Sequence, residues 1–113
     1  MPRLNLFVLY TLQEESVRSF YEALGFAFMR ERHGDGPEHD VATDERGVAF
    51  EIYHGRAPEL PRVRYVFAVE SLEETIERLS KLGCEVKPAA NGWQGALAAS
   101  DPDGRKVIVT QAK

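Results

Sequence analysis

Glu51 stands inside an otherwise apolar run, Val48-Ala49-Phe50-Glu51-Ile52-Tyr53. A carboxylate in such a setting is a candidate general base, because burial raises its proton affinity toward neutrality, whereas an adjacent arginine lowers it. Two histidines, His33 and His39, flank the loop Gly34-Asp35-Gly36-Pro37-Glu38, and imidazole is the commonest side-chain ligand for metals. If the turn from Asp44 to Gly47 is a two-residue hairpin loop, Asp40 comes opposite Glu51 with His39 alongside, a set of three metal donors. A one-residue slip would turn Asp40 away. The other reading of His33 and His39 is a partly exposed loop over a cavity mouth, and His54 reads as a connector residue.

Strand alternation groups Leu6, Val8 and Tyr10 on one face and Ala49, Glu51 and Tyr53 on another. With Trp93 added from a loop, this lining is apolar and aromatic with few polar handles, as in small-molecule pockets. The competing reading is a closed core filled by the same side chains. Tyr65 is a further aromatic candidate, although its alternation with Arg64 can turn it toward a helix.

Several function classes fall away. The chain has 113 residues and a net charge of -4, so it offers no general attraction to nucleic acid or to an anionic membrane. No apolar run approaches the roughly 20 residues that span a bilayer. No charged and then apolar leader is visible at the start, and a cytoplasmic location is expected. Cys84 is the only cysteine, which excludes an intrachain disulfide and a cysteine metal cluster and reads as a buried structural thiol. No serine has an evident His/Asp partner or a Gly-x-Ser-x-Gly setting. The Gly34-Asp35-Gly36 run is followed by proline and charges instead of a phosphate-binding helix start.

The elements that must position these residues occur twice. Asp101-Pro102-Asp103-Gly104 leads into the strand former Val107-Ile108-Val109-Thr110, and Asp44-Glu45-Arg46-Gly47 leads into Val48–Tyr53 about half a chain earlier. Leu24-Gly25 and Leu82-Gly83 each close a helical pattern at matching positions. The first unit reads as a strand over Leu4–Tyr10 and a helix opened by a Thr11/Glu14 capping box. Its apolar stripe is Val17, Phe20, Tyr21 and Leu24. Strands follow over Phe26–Arg32, Asp40–Thr43 and Val48–Tyr53. After a connector over Gly55–Pro61, the second unit has a strand over Val63–Val69 and a helix opened by Ser71/Glu74 with Leu72, Ile76, Leu79 and Leu82. Strands over Cys84–Lys87, Gly95–Ala99 and Arg105–Gln111 complete it. Both units are βαβββ, within a single domain over 1–113, with module one at about 1–55 and module two at about 62–113.

With Phe20-Tyr21-Glu22-Ala23-Leu24-Gly25-Phe26, Val48-Ala49-Phe50-Glu51-Ile52-Tyr53 and Asp101-Pro102-Asp103-Gly104 in this order, the chain resembles the vicinal oxygen chelate superfamily of glyoxalases, bleomycin-resistance proteins and extradiol dioxygenases. The resemblance implies an α+β fold of two tandem βαβββ modules, each curling into a half-barrel around a ligand cavity, and a homodimer. It also implies one divalent metal on four ligands, from the first and last strands of each module. Carried onto this chain, those positions are Leu6, Glu51, Arg64 and Ile108. Leucine and isoleucine have no donor atom and arginine stays protonated, so no metal is expected at that place. No cofactor is expected, and the one place left open to a divalent metal is a displaced site using His39, Asp40 and Glu51.

Arg64 then either pairs with Glu51 or receives an anionic or polar ligand group. The reading that results is a protein that binds a small organic ligand between its modules without a metal. Arg64, Tyr10, Tyr53, Trp93, Leu6 and Ile108 line the cavity. The alternative is a glyoxalase-like lyase or isomerase, or a dioxygenase, with Glu51 as catalytic base. A third is a subunit whose cavity is filled by side chains.

Overall fold

The computed structural model describes residues 3–56, 64–90 and 93–113. Most of the expected connector and part of the loop before Trp93 lie outside them. The first half of the chain forms β1 (Leu6–Thr11), α1 (Glu14–Ala23), β2 (Met29–Glu31), β3 (His39–Thr43) and β4 (Ala49–His54). The second forms β5 (Tyr65–Val69), α2 (Leu72–Lys81), β6 (Lys87–Pro88), β7 (Leu97–Ser100) and β8 (Lys106–Gln111). The sheets have orders β1-β4-β3-β2 and β5-β8-β7-β6, the same topology used twice. In each, the last strand lies between the first, which it meets in parallel, and the third, which it meets antiparallel. The fold is thus the expected α+β pair of βαβββ units, with two separate sheets that do not close into one barrel.

The helices obey their sequence signals with two exceptions. Gly25 and Gly83 take φ of 117° and 79°, left-handed values that end a helix at little cost only for glycine. Ser71 Oγ accepts the Glu74 N–H at 3.1 Å, the expected cap of α2. At α1 the N-cap is Gln13 and no side chain caps it. Thr11 is held in β1 and its hydroxyl accepts the Gln13 N–H at 2.9 Å, so it tightens the strand-to-helix turn instead of closing a capping box. On α2, Leu82 is exposed and Thr75 is buried, its hydroxyl donating to the Ser71 carbonyl at 2.8 Å.

One core joins both halves. Phe7, Leu9, Phe50 and Ile52 from the first sheet and Phe67, Val69, Val107 and Val109 from the second pack around Val17, Phe20 and Tyr21 of α1 and Leu79 of α2. Phe50 is the aromatic hub. Its ring lies 5.1 Å from Phe7, 4.9 Å from Tyr21, 5.1 Å from Phe26 and 5.5 Å from Phe28, edge-to-face in each case. Odd-numbered neighbours on the same strand, Ala49, Glu51 and Tyr53, therefore face away from the core.

The Asp-Pro-Asp-Gly turn before β8 is the second junction between halves. Asp101 Oδ2 accepts the Tyr21 hydroxyl at 2.6 Å and Arg105 Nη1 at 3.0 Å, and all three residues are buried. Asp101 Oδ1 accepts the backbone N–H groups of Asp103 and Arg105. Arg105 Nη2 reaches across to donate to the Tyr10 carbonyl at 2.7 Å, and Gln13 donates to Asp103 at 2.7 Å. Burial would raise the Asp103 carboxyl. Hydrogen bonds from Thr11, Gln13 and Arg105, with the Arg105 charge, outweigh this and hold it below its ordinary 3.8.

A carboxyl depressed in the folded state contributes stability that is complete above its unfolded value and is lost as pH falls through the folded one. Acid unfolding below about pH 3.8 should therefore include release of this turn. The measurement is the melting temperature against pH for wild type and Asp103→Asn. The variant is expected to show a shallower acid limb, and parallel limbs would remove Asp103 from the account.

Candidate functional site

β4 runs through the middle of the first sheet and presents Glu51 and Tyr53 on the face opposite the core. The register sets Glu51 beside Val8 and Val41, and Tyr10 beside Tyr53. On β2 and β3, Glu31 pairs with His39. Glu31, His39, Glu51, Tyr53 and Tyr10 consequently share this outer face, and His33, just beyond β2, joins them.

The distances define a compact set. His39 Nε2 lies 2.9 Å from Glu31 Oε1 and 3.6 Å from Glu51 Oε2, and His33 Nε2 lies 2.7 Å from the same Glu31 oxygen. One donor atom from each of Glu31, His33, His39 and Glu51 can be chosen so that all lie within 4.8 Å of one another. The Tyr53 ring stacks on His39 at 4.2 Å and 12°, and His33 stacks on the other imidazole at 5.1 Å and 28°. Tyr10 leans on Tyr53 at 5.6 Å.

His39 is 1% exposed and Glu51 12%, while His33 is 69% exposed at the rim. The Glu31 carboxyl is held down, chiefly by the hydrogen bond from His39 and then by the charge and hydrogen bond of His33, against its own burial. For His39, burial favours the neutral ring. The Pro37 carbonyl, the Glu31 hydrogen bond and the charges of Glu51 and Glu31 overcome this and raise its pKa. Burial, followed by the Glu51 carboxylate, also raises the Tyr53 phenol.

The expected donor set needs a correction. Asp40 is opposite Ile52, not Glu51, and points to the other side of the sheet against Arg30 at 3.4 Å and Arg18 at 3.8 Å. The cause is the hairpin loop. The Asp44 N–H donates to the Val48 carbonyl at 3.0 Å and Gly47 has φ of 85°. The loop is therefore the three-residue kind with a left-handed glycine, one residue longer than the two-residue form. That single residue removes Asp40 from the set and brings His39 and Glu51 together. Glu31 completes it, a residue the sequence reading missed. Its signal was the β2–β3 register, concealed by a loop of unknown path between His33 and His39.

The other expected residues divide between the modules. Leu6, Tyr10, Glu51 and Tyr53 come together on the outer face of the first sheet. Arg64 is exposed just before β5, Trp93 is half-buried ahead of β7, and Ile108 is buried in β8. None of these three makes an ion pair, hydrogen bond or aromatic pair with Tyr10, Tyr53 or Glu51; the carboxylate lies against His39, not Arg64. Tyr65 faces the core, 5.0 Å from Phe7. Two aliphatic side chains and a guanidinium at the inter-module positions do not fit a divalent metal there.

A βαβββ duplication with a polar and aromatic sheet face defines the vicinal oxygen chelate class. A family model for a glyoxalase-like domain matches residues 7–110, and the chain belongs to that family. Solved structures share the fold across nearly their whole length. The oxidase ChaP-H1 is 21% identical with a TM-score of 0.74, covering 100% of this chain and 98% of its own. TnmS3, an antibiotic binding protein from Streptomyces sp. CB03234, is 20% identical with a TM-score of 0.69 and the same coverage of 100% and 98%. The bleomycin resistance determinant encoded on transposon Tn5 is 20% identical, with a TM-score of 0.64 and 99% of both chains covered. No curated protein matches the chain significantly. No helix among the described residues is long and apolar enough to cross a membrane.

Proposed function

We propose that the outer face of the first sheet binds a small organic ligand, with no metal at the family's inter-module position, and that a second copy of the chain covers it. The observation that carries this reading is a set of uncovered apolar and aromatic side chains beside a nearly buried carboxylate. Leu6 is 48% exposed, Tyr10 47% and Met29 72%. Exposed apolar surface of this kind marks a binding or association face. Glu51, Tyr53 and His39 lie next to it as polar handles. The antibiotic-binding and bleomycin-resistance relatives support a binding role over this fold.

The sheets do not join within the chain, so the reading takes the functional unit to be a homodimer. It assigns Arg64, Trp93 and Ile108, all on module two, to the covering wall. Module one at about 1–55 and, from the second copy, module two at about 62–113 act as the two walls of the cavity while each chain remains a single domain, and a cytoplasmic setting fits the one unpaired Cys84.

Screening by thermal shift with compounds that carry an aromatic ring and a hydrogen-bond donor supplies the probe. Tyr10→Ala and Tyr53→Ala should each weaken the best binder by roughly tenfold, the usual cost of truncating an aromatic anchor. Unchanged affinity in both, with folding retained, would overturn the placement. Arg64→Ala should weaken binders that carry an anionic group and leave melting unchanged.

A second reading, a glyoxalase-like lyase or isomerase or a dioxygenase, is favoured by the 3.6 Å approach of Glu51 to His39, since a carboxylate and an imidazole can exchange a proton. Under it, Glu51→Gln abolishes turnover with the fold retained. Under ligand sequestration there is no turnover to lose.

A further inference from the structure

We propose that Glu31, His33, His39 and Glu51 form a binding site for one first-row divalent metal ion, contained wholly within the first module. It shares only Glu51 with the inter-module position and stands whether or not the neighbouring face takes an organic ligand.

The donor chemistry is mixed nitrogen and oxygen, two imidazoles and two carboxylates, which suits Zn²⁺ and its first-row neighbours better than Ca²⁺ or Mg²⁺. The elements enforce the arrangement. Glu31 and His39 face each other across the β2–β3 pair, Glu51 comes from the adjacent strand β4, and His33 reaches back from the residue pair after β2. In a tetrahedral zinc site, ligands about 2.0–2.2 Å from the ion lie roughly 3.3 Å from one another. The pairs at 2.7, 2.9 and 3.6 Å already bracket that spacing, and the full set falls within 4.8 Å. The two members with the most room to adjust are Glu31 and His33, which are the more exposed.

The decisive detail is how His39 is held. Its ring is buried between Tyr53 and His33, and Nδ1 lies 3.2 Å from the Pro37 carbonyl. A carbonyl only accepts, so Nδ1 carries a proton and Nε2 is the nitrogen turned into the cluster. That is how metal-binding histidines are oriented, with the second nitrogen committed to a fixed acceptor. Without an ion, Nε2 donates to Glu31 at 2.9 Å and lies 3.6 Å from Glu51; a divalent ion at the centre would take the place of that proton, be met by all three side chains and neutralise both carboxylates. Asp40 takes no part, since its carboxylate lies on the opposite side of the sheet.

The test is titration of untagged full-length protein, stripped with EDTA, with Zn²⁺ by calorimetry and with Co²⁺ by visible absorption. The expected result is one ion per chain at a Kd on the order of micromolar or tighter, about what three or more protein ligands give. The Co²⁺ bands should be those of nitrogen and oxygen ligation. His33→Ala and Glu31→Gln, which change accessible side chains, should each weaken Zn²⁺ by roughly tenfold or more, and His39→Asn by about a hundredfold. Lys81→Ala, at an exposed position on α2, should leave it unchanged. Because His39 is buried, His39→Asn can disturb folding, and the two accessible variants then carry the test. Binding no tighter than about millimolar, or micromolar binding that survives both His33→Ala and Glu31→Gln, overturns the site.

Discussion

Asp101→Ala is expected to cost about 3–5 kcal/mol, because it removes one member of a buried charged network and leaves the others without a partner. Arg105 would keep its guanidinium in the interior with one of its two carboxylate partners gone, and the Tyr21 hydroxyl would lose its acceptor. The two turn N–H groups that Asp101 Oδ1 accepts would be left open as well. Burial is the largest cause of the raised Tyr21 pKa and persists in the variant, so it opposes ionisation of the phenol in compensation. Asp101→Asn retains shape and one acceptor oxygen and should cost clearly less. Chemical denaturation of both variants checks the ordering; equal stabilities would show that the charge contributes nothing. The consequence extends to the site, since Arg105 also fixes the carbonyl of Tyr10. A weakened turn should therefore loosen Tyr10 before it loosens Glu51.

Phe50→Ala is expected to lose about 3–5 kcal/mol, the cost of a buried aromatic truncated to a methyl group. Four edge-to-face partners surround the ring and Phe67 of the second sheet stacks at 6.3 Å, so the resulting cavity would border both halves of the core. Large aromatics on several elements cannot all collapse into it, which places the cost toward the upper end. Phe50→Leu should recover much of the loss. Urea denaturation provides the comparison, and a loss below about 1 kcal/mol would mean that the core repacks freely. The same substitution should disturb metal or ligand binding, because Phe50 anchors the strand that aims Glu51 outward.

What could be read from the sequence was what repeats. The duplicated helix-ending glycines, the two aspartate-to-glycine turns and the period-two strands yield the βαβββ pair and place Glu51 and Tyr53 on one face. Helix details that depended on rivals for a side chain were less legible. Thr11 has the spacing of a cap, yet Gln13 turned toward Asp103 and the β1 strand claim that corner. The site itself turned on a single residue of loop length. With Val48 paired to Asp44, Asp40 faces Arg30 and His39 faces Glu51; with the shorter loop the assignments reverse. Glu31 was hidden for a related reason, since the register of β2 on β3 depends on the path of the loop between His33 and His39. Pairings between Glu51 and residues of module two depend on sheet-to-sheet placement, which strand periodicity does not encode.

The most direct measurement for the proposed binding face is backbone amide NMR of the full chain, titrated with the best binder from the thermal-shift screen. The account predicts shifts concentrated on β1, β3 and β4, at Leu6–Tyr10, His39–Thr43 and Ala49–Tyr53, reduced in parallel by Tyr10→Ala and Tyr53→Ala. Shifts confined to the open depression around Leu12, Glu15 and Ser16, or no binder tighter than about millimolar, would contradict it.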